Sequence, residues 1–121
     1  MPDALLSILL VEADDVTQRL YARELSRRYR VFTCRDEAAL LRLLRTEDIR
    51  AIILEPALAD GLGWRLLASI RQMQPGAALP IILCSAVDER RRGMALGAAA
   101  YLIKPVLPVT LRNTLDQILQ P

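Results

Sequence analysis

The sequence predicts a doubly wound α/β domain, a three-layer sandwich with a five-stranded parallel sheet between helices. Short apolar runs without polar alternation recur along the chain, as expected of strands buried on both faces. Segments with apolar residues at helical spacing separate these runs. Regular alternation of the two patterns implies parallel strands joined by right-handed crossovers, with helices on both faces of the sheet. The 121 residues suit one domain, residues 1–121, and 53% hydrophobic content supplies a packed core.

Ser7-Ile8-Leu9-Leu10-Val11 is the first strand, and Val16 to Arg28 is an amphipathic helix with Val16, Leu20 and Leu25 as its apolar positions. Arg30 to Cys34 is β-branched and aromatic, hence the second strand. Asp36 caps a helix whose buried stripe is Ala39-Leu40, Leu43 and Leu44. Ala51 to Leu54 is the third strand, followed by a loop from Glu55 to Gly63 and a helix from Trp64 to Gln72. Pro80 to Cys84 is the fourth strand, and Asp88 to Leu96 a helix stopped by Gly97. Ala100 to Ile103 is the fifth strand. Pro108 starts the last helix, with Leu111, Leu115, Ile118 and Leu119 facing inward.

Composition removes several classes of function. A net charge of +2 argues against nucleic acid or an anionic membrane as the main partner. No apolar run approaches the roughly 18–20 residues of a membrane span. The N-terminal stretch carries Asp3 and no basic start, so a secretory signal is not expected. Cys34 and Cys84 fall in separate strands without metal spacing, and a reduced cytoplasmic protein is expected. Histidine is absent, which excludes Ser-His and Cys-His nucleophiles, His-ligated zinc and a phosphohistidine donor.

In a parallel α/β sheet, function sits at the carboxyl ends of the strands. Those ends carry Glu12, Asp14 and Asp15, then Glu55, then Ser85-Ala86, then Lys104-Pro105. Acids bind a hard cation, while an amine and a hydroxyl contact phosphoryl oxygens. Such an acidic first loop disfavours a flavin mononucleotide phosphate, and neither GxxxxGK[ST] nor GxGxxG occurs. Lys104 is the sole lysine among sixteen basic residues, which marks a site needing a compact amine rather than a planar guanidinium.

Four segments in order resemble the receiver domains of two-component response regulators. Ile8-Leu9-Leu10-Val11-Glu12-Ala13-Asp14 resembles the family's ILLVEDD, and Ile52-Ile53-Leu54-Glu55 falls where a strand ends in the phosphoacceptor aspartate. Leu83-Cys84-Ser85-Ala86 is similar to the strand ending in Ser/Thr-Ala, and Gly97 to Pro105 resembles GADDYLxKP. The resemblance runs from about Ile8 to Leu119 and implies a flavodoxin-like receiver fold of the chemotaxis-regulator kind. It implies that Ser85, Tyr101 and Lys104 occupy phosphoryl-contact and switch positions, and that the Lys104-Pro105 peptide is cis.

The family's pattern breaks at two places. Ala13 stands where a metal-binding aspartate is usual, and Glu55 where the phosphoacceptor is usual. Magnesium is held by few carboxylates at strict geometry, so Ala13 weakens a site that would rest on Glu12, Asp14 and Glu55. Glu55 is longer than aspartate by roughly 1.5 Å, and a misplacement of about 1 Å can cost phosphoryl transfer about a hundredfold. Glu55 is expected to pair with Lys104, either filling the space of an aspartyl phosphate and accepting a hydrogen bond from Ser85, or merely satisfying Lys104 in a site with no switching left. Ala59 also replaces a usual proline in the following loop.

The function expected is therefore signal transduction by partner binding or dimerisation without normal phosphorylation, with no enzymatic activity and no required cofactor. Two alternatives stand beside it: a phosphorelay receiver with weak or unusual phosphorylation, and a small flavodoxin-like nucleotide- or phosphoryl-binding enzyme. The expected partner is a signalling protein, an output domain or a second copy. Interface candidates are Arg90, Arg91 and Arg92 on the fourth helix with Arg112 and Asp116 on the fifth.

Overall fold

The computed structural model of the chain describes residues 5–73 and 78–120; Asp3, at the acidic start, lies outside them. Five strands, β1 (Ser7–Val11), β2 (Arg30–Cys34), β3 (Ile49–Leu54), β4 (Ile81–Ser85) and β5 (Ala100–Ile103), form one parallel sheet in the order β2-β1-β3-β4-β5. Helices α1 (Asp15–Leu25), α2 (Glu37–Thr46), α3 (Leu62–Arg71), α4 (Arg90–Ala95) and α5 (Pro108–Leu119) alternate with them, and a short 3₁₀ turn (Ala59–Gly61) precedes α3.

The continuous apolar strands supply both faces of this sheet, because successive side chains point to opposite sides. Leu9, Ile52, Leu54, Ile81 and Leu83 pack on one face with Leu40, Leu44, Leu66, Leu67 and Ile70 of α2 and α3. Ile8, Leu10, Ile53, Ile82 and Cys84 pack on the other with Tyr21, Leu25, Leu111 and Leu115 of α1 and α5. The chain steps from β1 to β2 in one direction and then crosses back to β3. With right-handed crossovers, that reversal places α1 and α2 on opposite faces.

Local chemistry starts and stops the helices largely as the residues require. The Asp36 side chain accepts from the Ala39 amide at 2.8 Å, Pro108 stands in the first turn of α5, and Gly97 adopts φ 88° after α4. One expectation fails on α1. Leu25 is buried as expected, but Val16 and Leu20 are exposed, at 57% and 53%, and Tyr21 takes their place in the buried stripe. Two apolar stripes lie side by side on this helix, and the one carrying the larger aromatic faces α5 and the sheet.

Candidate functional site at the carboxyl edge of the sheet

Register brings the strand-end residues together. Val11 lies opposite Leu54, and the ladder continues one residue further as the Glu55 amide donates to the Val11 carbonyl at 3.0 Å. Glu12 and Glu55 therefore leave adjacent strands at one level, beside the point where strand order reverses. Ser85 lies opposite Ile103, and the Lys104 amide donates to the Ser85 carbonyl at 2.9 Å. Lys104 thus leaves the outermost strand at the same edge, and the Lys104–Pro105 peptide is cis.

Lys104 reaches back across the edge and joins both acids. Its Nζ lies 2.6 Å from Glu12 Oε1 and 2.8 Å from Glu55 Oε1. Each carboxylate uses its other oxygen to hold a backbone turn: Glu12 Oε2 accepts from the Asp14 amide at 3.1 Å, and Glu55 Oε2 from the Ala57 amide at 2.8 Å. Glu12 is only 4% exposed. Burial by itself would discharge the Lys104 amine, but the hydrogen bonds it donates to Glu12 and Glu55 outweigh it and raise its pKa above the ordinary 10.5. The result is one ammonium ion clamped between two carboxylates.

Asp14 is not part of this cluster's hydrogen bonding. Its carboxylate caps α1, accepting from the Thr17 amide at 2.9 Å and the Thr17 hydroxyl at 2.6 Å, and these bonds hold its pKa below the ordinary 3.8. Asp14 stands directly before the first residue of α1 and three residues before Thr17, the position of an N-cap. Among the described residues, no group of three or more acids, cysteines or histidines is placed to hold a metal ion.

Ser85 is buried at the edge, yet its hydroxyl does not donate to Glu55. It accepts from the Val87 amide at 3.1 Å, so the expected Ser85–Glu55 bond is replaced by one that shapes the β4–α4 turn. Tyr101 is buried, with its ring turned in under α4. Its hydroxyl donates to the Val87 carbonyl and accepts from the Glu89 amide at 3.2 Å. Ser85 and Tyr101 therefore hold the same turn from its two ends. No spacing in the sequence announces this, because the partners are backbone groups.

The interface candidates divide. Arg90 and Arg91 are exposed on α4. Arg92 lies over the Trp64 ring, its guanidinium carbon 4.0 Å from the centroid. Arg112 pairs with Glu24 on α1, while Asp116 accepts from the Tyr29 hydroxyl and pairs with Arg28 at 3.2 Å, so each already has a partner within the chain. Both are bound to the α1 side of α5. A hollow of about 380 Å³, missed by the sequence reading, lies between α1 and residues 104–108, lined by Leu20, Tyr21, Pro105 and Val106 among others.

Fold and edge together define a doubly wound α/β domain with a buried acid–amine cluster at its topological switch point. The response regulator receiver domain family matches residues 8–116, and the chain belongs to that family. It is 34% identical over 119 residues to the two-component response regulator-like APRR5 of Arabidopsis thaliana, covering 93% of this chain and 21% of that protein. It is 36% identical over 118 residues to the transcriptional regulatory protein GltR of Pseudomonas aeruginosa, covering 94% of this chain and 49% of that one. The chain thus spans no more than about half of these relatives. The chemotaxis protein CheY4 of Vibrio cholerae superposes with a TM-score of 0.87 at 23% identity, over 96% of this chain and all of that one. The receiver domain of the sensor histidine kinase PA1611 of Pseudomonas aeruginosa, whose active-site cleft coordinates a magnesium ion, superposes with a TM-score of 0.78 at 28% identity, over 94% and 97%.

Proposed function

We propose that this receiver domain signals without aspartyl phosphorylation, presenting a surface set by folding to a signalling protein, an output domain or a second copy of itself. The observation that carries the reading is the double ion pair of Lys104. The amine that would meet an incoming phosphoryl oxygen is already bound to Glu12 and Glu55 at 2.6 and 2.8 Å. A phosphoryl donor would have to displace Glu55 from a buried ion pair before reaching its carboxylate.

The acids that remain fit a magnesium ion poorly. The Ala13 side chain offers no oxygen, Asp14 is committed to Thr17, and Lys104 occupies one oxygen of each of the other two. No resident metal or cofactor and no enzymatic activity are part of this reading. The site of action is the cytoplasm. No described helix is long and apolar enough to cross a membrane. The partner surface is placed on α4, β5 and the outward side of α5, where Arg90, Arg91 and Met94 are exposed. Nucleic acid binding is not assigned to this domain.

Incubation with magnesium and acetyl phosphate, followed by intact-mass measurement, tests the reading. It predicts no phosphoryl adduct, and no saturable backbone shifts at Glu55, Ser85 and Tyr101 with beryllofluoride. A magnesium-dependent adduct on Glu55 would restore an ordinary phosphorelay receiver.

A further inference from the structure

Helix α4 has only six residues, and its N-cap residue Glu89 makes no side-chain cap bond. So short a helix does not hold itself together, and its position must come from tertiary contacts. Those contacts approach from two sides. On the inner side Gly93 lies against the core so closely that a Cβ there would sit 2.7 Å from Leu83 Cδ1 and 2.8 Å from Tyr101 Cδ2. Tyr101 in turn grips the preceding turn through Val87 and Glu89. On the outer side Arg92 folds over Trp64, which belongs to α3 and is 9% exposed.

We propose that Arg92 and Trp64 form a latch that fixes α4, and with it the inward Tyr101, in one position. None of these contacts passes through Glu55 or Lys104. The inference rests on the phosphorylation-independent reading for its meaning. A latched α4 shows a partner one constant arrangement of Arg90, Arg91 and Met94. A guanidinium on an aromatic face at this distance is attracted by the ring's electron density. The Arg92 side chain remains 53% exposed, so its loss removes the latch without opening the core. The i,i+3 pair with Glu89 at 3.4 Å is a contact within one turn and does not tie α4 to another element.

Amide hydrogen exchange and Trp64 emission test the latch, since Trp64 is the only tryptophan in the chain. In Arg92→Ala the amides of Glu89 and Gly93 should exchange about three- to tenfold faster, with β1 and β3 amides unchanged and emission shifted to longer wavelength. Glu89→Gln, which keeps the ring contact, should leave both readouts as in the parent. Unchanged exchange in Arg92→Ala, an equal rise across the sheet, or the same acceleration in Glu89→Gln would overturn the latch. A phosphoryl adduct on the parent chain would instead overturn the phosphorylation-independent reading, and the exchange data would still decide the latch.

Discussion

Lys104 and its two acids act as one unit, because both carboxylates share the one amine and its removal leaves two buried charges without a partner. Lys104→Met deletes the ammonium from between Glu12 and Glu55, whose side chains are 6% and 12% exposed. The expected loss is about 3 kcal/mol, the lower end for breaking a buried ion pair, since Lys104 itself is partly open to water. Adding Glu12→Gln and Glu55→Gln should recover most of it by removing the stranded charges. Urea unfolding of the single and triple variants measures both, and equal destabilisation of the two would show that the charges are not coupled. These three residues were legible from sequence because parallel sheets bring strand ends to one edge. Asp14 and Ser85 were not, since each is claimed by a nearby backbone amide, of Thr17 and Val87. A residue count along strands does not foresee such competition.

Two glycines decide how closely α3 approaches the Glu55 loop and α4 approaches the sheet. A Cβ at Gly63 in α3 would clash with Glu55 O and Pro56 Cα, both backbone atoms of the loop that carries Glu55. Alanine ordinarily gains up to about 1 kcal/mol over glycine inside a helix. Here the clash reverses the sign. Gly63→Ala is expected to cost about 3 kcal/mol or more, because backbone cannot move aside, and Gly93→Ala about 1–2 kcal/mol, because it meets side chains. Thermal or urea unfolding checks the order, and a neutral Gly63→Ala would show that α3 stands off from the Glu55 loop. Strand and helix identities were readable from apolar runs, as in β1 and β4. The buried stripe of α1 was not, because Val16 and Leu20 share the spacing of Tyr21 and Leu25 and only the packing of α5 separates them. The Arg92–Trp64 contact joins residues on different helices and leaves no local signal at all.

At the scale of the whole molecule, folding pulls several proton-releasing groups in one direction. Burial raises the thiol of Cys34 to about 12 and that of Cys84 to about 11, from 9.0. Burial likewise raises Tyr21 to about 12 from 10.0, and burial with the bond to Asp116 raises Tyr29. Lys104 is raised despite its burial, by the two glutamates. In each case the unfolded chain gives up its proton at a lower pH than the folded chain does. Above pH 9 the native state therefore binds more protons than the unfolded state, and stability falls as pH rises. These groups leave stability level from neutrality to about pH 9, the ordinary thiol value. The decline then steepens past 10.0 and 10.5, where the phenols and the amine join. Within its window each group contributes a slope of about 1.4 kcal/mol per pH unit. The urea midpoint followed by circular dichroism across this range should show that profile. Replacing both cysteines, as Cys34→Ala with Cys84→Ala, should move the onset from about 9 to about 10 while lowering the plateau through lost packing. A midpoint that stays level to pH 11, or an onset unmoved in the double variant, would mean that the buried thiols do not titrate with unfolding.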